Sequence, residues 1–384
     1  MDSCRRESLW LQGTAAPISS LTVSPAMKGV LLAGGKGTRL RPITHTGPKQ
    51  LVPVANKPVI QYAIEDLKAA GITDIGVVLG NKGREAIRNY LGDGADFGVD
   101  ITYIVQGDPL GLAHAVGCAR EFVDGDDFVV YLGDNMLKQG ISALVESFER
   151  GQYDAGIALQ SVAEPEQFGV ADVDGNGDVT RLVEKPDEPP SDLALIGVYV
   201  FSPVVFDAIE RLEPSWRGEY EITEAIGTLL DEGRAIDSLV IEGWWKDTGK
   251  PADVLEANRL VLDDRRDETP PIDIESDAET TGYLDVHDAA TIEEGAVVRG
   301  PVSIGADTTI EAGAYVGPYT SIGPNSTLRN VHIENSVIVG DSSIATDGKI
   351  VDSLIGRGTS IGSADGLLPE GRRLVVGENS NLDL

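Results

Sequence analysis

The chain has 384 residues, of which 41% are hydrophobic and 24% charged, so it is long enough for two domains and has the composition of a globular protein. Its 62 acidic residues outnumber its 31 lysines and arginines, and the resulting net charge of -31 argues against a nucleic-acid partner. No apolar run reaches the roughly 20 residues of a membrane-spanning helix, and two cysteines are too few for a disulfide framework or a cysteine-based metal site.

Residues 1–26 carry early arginines but no continuous apolar stretch of the roughly 7 to 15 residues found in a secretory signal. We expect this segment to be a non-native or disordered extension that lies outside the fold. The scarcity of cysteine is typical of a reducing compartment, and we therefore expect a cytoplasmic protein that does not bind membranes.

From residue 27 to residue 262, apolar strands alternate with amphipathic helices. The predicted strands are 28–33, 74–80, 100–106 and 127–135, and the predicted helices are 59–71, 83–94 and 112–123. Farther along, we expect a hairpin around Asn176 and Gly177, a strand over 193–201 and a helix over 202–212. Strands that are apolar on both faces predict a Rossmann-like, mainly parallel sheet of the α/β class, which binds ligands at the carboxyl ends of its strands.

An acidic segment rich in proline and threonine, residues 263–290, predicts a linker. Beyond it, aliphatic residues recur every six positions at Ile292, Val298, Ile304, Ile310, Val316, Ile322 and Leu328, and again at Ile338, Ile344 and Ile350. A hexapeptide repeat of this kind predicts a parallel β-helix over residues 291–384. Because such coils commonly associate side by side, we expect a homo-oligomer.

The segment "LLAGGKGTRLRPITHTGPKQLVPVANKP", residues 31–58, places glycines directly after the first predicted strand. Glycines leave room for an anion to approach the backbone N–H groups. Arg39, Arg41 and Lys49 lie on the same segment, although its spacing fits neither a P-loop nor GxGxxG. The segment therefore predicts a phosphate-binding loop.

This segment resembles the signature of the sugar-1-phosphate nucleotidylyltransferases, and with glutamine after Lys49 it most resembles glucose-1-phosphate thymidylyltransferases of the longer form with a C-terminal β-helix. The motifs "VQGDPLGLAHAV", "YLGDN", "FGV", "EKP", "RGEYEIT" and "WWKDTG" follow in the order expected for that family. The resemblance covers nearly everything from Met27 onward and implies that the β-helix is left-handed.

The resemblance also implies a reaction. A sugar 1-phosphate would attack the α-phosphorus of a nucleoside triphosphate and release pyrophosphate, with dTTP and glucose 1-phosphate as the implied substrates. The sugar phosphate is already a competent nucleophile near neutral pH. Catalysis then reduces to aligning two polyanions and neutralising charge on the triphosphate.

The family's nucleotide-binding residues can be carried over to this chain. Arg39 would hold the leaving phosphates and Lys49 would neutralise the triphosphate near the α-phosphorus. Gln106 and Gly111 would contact the base edge, and Gln50 would lie near the ribose. The complete predicted nucleotide-binding set is Leu32, Gly34, Gly35, Gly37, Thr38, Arg39, Gln50, Gln106 and Gly111.

Asp134 and Asp247 would together bind one Mg²⁺ that bridges phosphate oxygens. This ion typically takes one or two carboxylates and completes its coordination with water and phosphate. Glu184 would accept sugar hydroxyls, and Lys185 and Arg217 would hold the sugar phosphate. Lys185 joins Arg39, Lys49, Asp134 and Asp247 as a predicted catalytic residue, and Asn135, Gly169 and Trp245 would complete the sugar pocket.

Several alternatives remain open at this point. UTP or another hexose 1-phosphate would suit the same motifs, and related folds also serve as non-catalytic sugar-nucleotide sensors. His332 in the repeat region raises the hypothesis of an additional acyl transfer, against a simple surface or coil-packing role. The acidic surface is interpreted as suited to a high-salt cytoplasm, where salt screens charge repulsion.

Overall fold

A computed structural model of the protein describes residues 27–175, 177–268 and 278–362. The predicted extension, residues 1–26, lies outside the described residues. So do Asn176 of the predicted hairpin and residues 363–384 of the predicted β-helix. None of the described helices is long and apolar enough to cross a membrane.

The chain up to Glu268 folds as an α/β domain. Its strands are β1 Lys28–Ala33, β2 Pro53–Val54, β3 Lys57–Pro58, β4 Asp74–Gly80, β5 Asp100–Gly107, β6 Phe128–Leu132, β7 Asn135–Leu137, β8 Ala155–Ser161, β9 Gly169–Val173, β10 Val179–Glu184, β11 Leu193–Phe201, β12 Ile236–Val240 and β13 Trp245–Asp247. Its helices are α1 Val59–Ala69, α2 Arg84–Leu91, α3 Leu112–Gly117, α4 Arg120–Val123, α5 Ser142–Gly151, α6 Val205–Glu210, α7 Ile222–Asp231 and α8 Pro251–Glu268. One-turn 3-10 helices are Thr38–Leu40, Ile43–His45, Lys49–Leu51, Ala95–Phe97 and Pro165–Gln167.

A nine-stranded sheet in the order β10-β9-β11-β6-β1-β4-β5 forms the centre of this domain, with β8 beside β11 and β12 beside β8. β1 runs parallel to β4 and β6, and β4 runs parallel to β5. β11 runs antiparallel to β6, β8 and β9. The predicted Rossmann-like α/β class is confirmed: the first half of the domain supplies the parallel strands β1, β4, β5 and β6, and the second half adds antiparallel pairs and the parallel pair of β8 with β12.

Helices cover both faces of the sheet. Val30 and Leu32 of β1 belong to a buried cluster with residues of α3, α6 and α7, whereas Leu31 and Ala33 pack with residues of α1, α2 and α5. This division follows from the alternation of side chains along a strand. Leu32 lies opposite Leu132 in the register, so β1 and β6 end side by side at one edge of the sheet.

The helix predicted over residues 112–123 is interrupted. The Ala119 N–H bonds the Val116 carbonyl oxygen at 2.9 Å, a tighter three-residue turn that separates α3 from α4. The predicted hairpin is confirmed as the antiparallel pair β9 and β10.

The predicted linker, residues 263–290, is wrong at both ends. α8 continues to Glu268, and strand pairing with the β-helix begins at Glu279. The acidic composition suggested a linker, but the side chains of this helical segment have partners. Asp263 accepts a hydrogen bond from the Tyr319 hydroxyl at 3.0 Å, and Asp264 accepts one from Trp244 Nε1 at 2.8 Å.

The C-terminal part forms the predicted left-handed parallel β-helix. Its strands are β14 Glu279–Thr281, β15 Leu284–Val286, β16 Thr291–Ile292, β17 Val297–Arg299, β18 Val302–Ile304, β19 Thr309–Ile310, β20 Tyr315–Val316, β21 Thr320–Ile322, β22 Thr327–Arg329, β23 His332–Glu334, β24 Val337–Ile338, β25 Ser343–Ala345, β26 Lys349–Val351, β27 Leu354–Ile355 and β28 Ser360–Gly362. Every third strand pairs in parallel, which gives three five-stranded sheets.

Aliphatic side chains stack in register from one coil of the β-helix to the next. Ile292 lies opposite Ile310, which lies opposite Leu328, and Leu328 lies opposite Ile344. Ile310, Leu328 and Ile344 belong to the buried core of the coil, and the partly buried Ile292 packs against it. The repeat positions therefore supply the interior column that a parallel β-helix requires.

Candidate active site

The glycines after β1 allow close packing against the segment that carries Lys49. A Cβ atom at Gly35 would lie 2.8 Å from Lys49 Cε, and one at Gly34 would lie 2.8 Å from Gln106 Oε1. Gly37 adopts a φ of 62°, a left-handed conformation that favours glycine. The glycines thus let the cationic segment fold back over the end of β1.

Lys49 and Asp134 form an ion pair where β1 and β6 end. Only 14% of the Lys49 side chain and 9% of the Asp134 side chain are exposed, so solvent screens this pair weakly. Thr248 donates two hydrogen bonds to the Asp134 carbonyl oxygen, from its N–H at 3.0 Å and from its hydroxyl at 2.8 Å. The loop after β13 therefore fixes the backbone of Asp134.

Strand pairing brings Asp247 to the same place. β13 runs antiparallel to β7, with Asp247 opposite Asn135, the residue next to Asp134. Arg39 Nη2 lies 3.5 Å from Asp247 Oδ2. Burial and the charge of Asp134 raise the pKa of Asp247, while Lys49 and Arg39 act in the opposite direction. Two carboxylates and two cations that are distant in sequence thus meet at one end of the sheet.

The donor set at this place fits a magnesium ion. Asp247 Oδ1 is buried and has no hydrogen-bond partner among the described residues, so one carboxylate oxygen remains available. Within the described ranges, no three His, Cys, Asp or Glu side chains gather as a metal site. Mg²⁺ commonly uses one or two carboxylates and leaves its other positions to phosphate and water, so Asp134 and Asp247 are the residues that could hold it.

Glu184, at the end of β10, is the centre of a second polar cluster. Its Oε1 accepts a hydrogen bond from Arg217 Nη1 at 3.3 Å, and its Oε2 accepts one from the Thr223 hydroxyl at 3.1 Å. Burial and the nearby Glu221 raise the pKa of Glu184, and Lys185 and Arg217 partly offset this effect. The cluster keeps a carboxylate oriented inside the cleft.

Arg217 lies among three carboxylates. Its guanidinium contacts Glu184 at 3.3 Å, Glu219 at 3.1 Å and Glu221 at 3.2 Å. Lys185 Nζ lies 3.8 Å from Glu184 Oε1. The two cations predicted to hold the sugar phosphate are therefore together, and the acids around them fix their positions.

A hydrogen bond and ring packing of Trp245 hold the wall between the Asp134 group and the Glu184 group. Trp245 Nε1 donates a hydrogen bond to Asn135 Oδ1 at 3.2 Å, and the Trp245 ring meets Phe168 edge-on at a centroid distance of 5.3 Å. A Cβ atom at Gly169 would lie 3.1 Å from Glu184 Oε2 and 2.6 Å from Thr223 Cγ2. Gly169 is therefore required by the close approach of Glu184 and Thr223.

A single cleft of about 880 Å³ joins both clusters. Its volume is that of a typical small-molecule site. The predicted site residues that line it are Arg39, Lys49, Asp134, Asn135, Gly169, Glu184, Lys185, Arg217, Trp245 and Asp247.

The remaining predicted residues lie beside this cleft rather than in its lining. Gln106 Nε2 donates a hydrogen bond to the Gly111 carbonyl oxygen at 3.2 Å and lies 3.3 Å from His114 Nδ1. Gln50 is 1% exposed, and its Oε1 has no hydrogen-bond partner among the described residues. Leu32 lies in β1, Gly34, Gly35 and Gly37 lie in the loop after it, and Thr38 begins the first 3-10 turn.

Sequence reasoning missed three residues that orient the site, Glu221, Thr223 and Thr248. All three lie inside motifs that were recognised, "RGEYEIT" and "WWKDTG". Glu221 is 4% exposed and accepts a hydrogen bond from the Ser215 hydroxyl at 2.9 Å. The sequence signal that could have found it is an acid four residues after Arg217 within a recognised motif.

His332, the residue behind the acyl-transfer hypothesis, is exposed on β23. Its ring lies 5.6 Å from the Tyr315 ring of the preceding coil, and its backbone pairs with that of Lys349. This position on the outer surface of the coil agrees with a surface or coil-packing role.

Comparison with known proteins gives consistent matches for both parts of the chain. The model of the nucleotidyl transferase family matches residues 28–264, and the model of the GMPPB C-terminal domain matches residues 298–381. The chain is 70% identical over 358 residues to the low-salt glycan biosynthesis nucleotidyltransferase Agl11 of Haloferax volcanii, an alignment that covers 93% of this chain and 100% of the relative. It is 48% identical over 361 residues to a glucose-1-phosphate thymidylyltransferase of Streptomyces antibioticus, with 93% and 99% covered.

A crystal structure from Bacillus anthracis, assigned as a glucose-1-phosphate thymidylyltransferase and solved with sucrose, superposes with a TM-score of 0.57 at 41% identity. That superposition covers 61% of this chain and 94% of the other. The chain therefore belongs to the nucleotidyl transferase family, which confirms the prediction of a nucleotidyltransferase made from its motifs.

Proposed function

We propose that the protein transfers a thymidylyl group from dTTP to glucose 1-phosphate, giving dTDP-glucose and pyrophosphate. The observation that carries this proposal is the single cleft that holds the Lys49–Asp134 and Arg39–Asp247 pairs at one end and the Glu184–Arg217 cluster at the other. One end suits a triphosphate and the other suits a phosphorylated sugar.

The chemical step is a direct displacement at phosphorus. An oxygen of the sugar phosphate forms a bond to the α-phosphorus, while the bond from that phosphorus to the bridging oxygen of pyrophosphate breaks. Pyrophosphate leaves with the electron pair, so no side chain has to accept a proton. No cysteine or histidine is among the described residues that line the cleft, which is consistent with a step that needs neither.

The protein's contribution is alignment and charge neutralisation. The Lys49 ammonium, close to the ends of β1 and β6, stabilises negative charge near the α-phosphorus. Arg39, whose side chain is 58% exposed, reaches the outer phosphates that leave. A magnesium ion held by Asp134 and Asp247 would further neutralise the phosphate oxygens.

At the other end, Glu184 accepts hydrogen bonds from sugar hydroxyls, while Lys185 and Arg217 hold the sugar phosphate. The fixed position of Arg217 among its carboxylates reduces the entropy lost when substrate binds. Trp245 and Asn135 form the wall against which the hexose packs.

The proposed preference for thymine concerns the base edge of the nucleotide. An amide such as that of Gln106 presents a donor and an acceptor together, which suits the imide edge of thymine and equally that of uracil. The Streptomyces antibioticus relative, with its thymidylyltransferase name, favours dTTP. UTP is the alternative, because it differs from dTTP only by a 2′-hydroxyl and by the absence of the 5-methyl group on the base.

A substrate panel tests this proposal. Pyrophosphate release is measured with Mg²⁺ for dTTP and UTP, each with glucose 1-phosphate and with glucosamine 1-phosphate. We expect the highest kcat/KM for dTTP with glucose 1-phosphate. A higher value with UTP would establish the uridylyl alternative, and binding of sugar nucleotides without any turnover would establish the sensor alternative.

A further inference from the structure

The hairpin that follows the Lys49 segment is held by the β-helix. β2 and β3 are joined by Ala55 and Asn56, which both have positive φ angles of 46° and 61°. Asn56 Nδ2 donates hydrogen bonds to Ser303 Oγ and to the Ile322 carbonyl oxygen, each at 3.0 Å. Both amide hydrogens of this turn residue are thus committed to the β-helix.

The helix that follows Asp247 is held by the same sheet of the β-helix. Asn258, in α8, is 0% exposed. Its Oδ1 accepts hydrogen bonds from the Ala55 N–H at 2.9 Å and from the Ser321 hydroxyl at 2.6 Å, and its Nδ2 donates to the Tyr319 carbonyl oxygen at 2.9 Å. One buried side chain therefore joins the hairpin, α8 and the β-helix.

Two further contacts strengthen this junction. Arg265 of α8 forms an ion pair with Asp285 at 2.7 Å, and Asp285 accepts a hydrogen bond from the Ser303 hydroxyl at 3.0 Å. In the register of the β-helix, Asp285 lies opposite Ser303 and Ser303 opposite Ser321. These three residues form a polar column on one sheet, which faces the hairpin and α8.

An apolar layer extends the contact to the segment that carries Arg39. Leu40 is fully buried in a cluster with residues of β2, β7 and α8, and Tyr319 and Leu354 of the β-helix pack against that cluster. A Cβ atom at Gly356 would lie 3.3 Å from Ile43 Cδ1. The β-helix thus contacts the layer beneath the triphosphate end of the cleft.

We propose that the β-helix positions the triphosphate end of the active site through Asn56 and Asn258, which act as positioning residues. The hairpin leads directly from Lys49 and α8 leads directly from Asp247, so fixing both on one rigid sheet fixes these two groups relative to each other. The hydrogen bonds and ion pairs of Glu184 and Arg217 go to residues of the α/β domain, so the sugar end is independent of this junction.

Asn56→Gly tests the proposal because glycine retains the positive φ of the turn while the amide is lost. Asn325→Gly is a matched control. Asn325 also has a positive φ, of 56°, and its Nδ2 bonds Asp341 at 3.0 Å, but it is exposed on the β-helix. We expect Asn56→Gly to raise the KM for the nucleoside triphosphate roughly tenfold and to leave the KM for the sugar phosphate within about twofold. Asn325→Gly should change neither.

A second pair of variants uses serines of the β-helix. Ser321→Ala removes the hydroxyl that donates to Asn258, whereas Ser342→Ala removes a buried hydroxyl that donates to the Gly340 carbonyl oxygen at 2.8 Å within the coil. We expect Ser321→Ala to reproduce the effect of Asn56→Gly on the triphosphate KM in weaker form. Ser342→Ala should leave both KM values unchanged even if it lowers the Tm.

Because this inference rests on the proposed function, its test includes a readout that does not need turnover. Hydrogen exchange of the backbone amides in residues 38–54 should be faster in Asn56→Gly than in the wild type or in Asn325→Gly. Equal exchange and equal KM values in Asn56→Gly and Asn325→Gly would overturn the positioning role. If the wild type shows no turnover with any nucleotide, the proposed function fails while the exchange comparison still decides the positioning role.

Discussion

The two ends of the cleft differ in how their cationic and acidic side chains are arranged. At the triphosphate end, two cations, Lys49 and Arg39, face the two carboxylates Asp134 and Asp247. At the sugar end, three carboxylates surround the guanidinium of Arg217.

This difference indicates that the carboxylates of the aspartates and those of the glutamates have different roles. Asp247 leaves one carboxylate oxygen without a protein partner among the described residues, which suits coordination of an ion. Glu184 and Glu221 have hydrogen bonds to Arg217 or Thr223, which suits orientation of a cation and, in the proposed function, acceptance of sugar hydroxyls by Glu184. Loss of an aspartate at the triphosphate end should therefore impair the chemical step, and loss of a glutamate at the sugar end should weaken substrate binding.

The largest expected effect is at the triphosphate end. Asp134→Asn and Asp247→Asn should each lower kcat by a factor on the order of 10² to 10³, because each removes a negative ligand that helps to neutralise the phosphates through a metal ion. Steady-state kinetics over a range of Mg²⁺ concentrations measures this. Asp207→Asn, at an exposed ion pair with Arg120, is the control. Near-normal turnover in either cleft variant would refute the metal assignment.

A smaller effect, concentrated in KM, is expected at the sugar end. Arg217→Lys should raise the KM for glucose 1-phosphate about 10- to 100-fold with a smaller change in kcat, because an ammonium cannot bond to the surrounding carboxylates and to the phosphate in the geometry of a guanidinium. Arg211→Lys, at an exposed ion pair with Glu232, should have no effect. A rise in the KM for dTTP instead would reverse our assignment of the two ends.

The two ends should also differ in how pH affects kcat and the KM for glucose 1-phosphate. Burial is the chief cause that raises the pKa of Asp247, to about 6, and that also raises the pKa of Glu184. Each group therefore protonates at a higher pH than an ordinary carboxyl group and loses its function as the pH falls. Mg²⁺ competes with the proton at Asp247, so added Mg²⁺ should move the fall in kcat to lower pH. The rise in the KM for glucose 1-phosphate at low pH should not depend on Mg²⁺.

Glu184→Gln tests whether Glu184 is the group whose protonation raises the KM for glucose 1-phosphate at low pH. At neutral pH this variant should have a KM for glucose 1-phosphate about tenfold above that of the wild type. This KM should no longer change over the same pH range. If the KM of the variant still rises as pH falls, the titrating group is a different one.

The smallest expected effect concerns the acidic surface outside the cleft. With a net charge of -31, salt that screens repulsion should stabilise the fold, so activity should persist or rise up to a few-fold between low salt and molar KCl. The Tm measured over the same series should rise. Inactivation in molar KCl would remove the high-salt interpretation.

Much of the fold could be predicted because its signals are local. The apolar strands β1 and β6 predicted the parallel centre of the sheet, and the spacing of Ile292, Val298 and Ile304 predicted the β-helix. The motifs also named the ten predicted residues that line the cleft.

Contacts between distant segments could not be predicted in this way. Thr223 bonds Glu184 across 39 residues, and Ala55 bonds Asn258 across 203 residues. Neither pair forms a periodic pattern, because the partners are brought together only by the tertiary fold. The helical structure of residues 263–268 was missed for the same reason, since Tyr319 and Trp244, which bond Asp263 and Asp264, lie outside the acidic segment.

The stereochemistry at the α-phosphorus tests the central claim most directly, namely that the sugar phosphate itself displaces pyrophosphate within one cleft. The reaction is run with one diastereomer of dTTP carrying sulfur on the α-phosphorus, and the configuration of the product is determined by ³¹P NMR. Our account predicts inversion, because one in-line displacement occurs. Retention would require a covalent nucleotidyl intermediate on the protein and would contradict it.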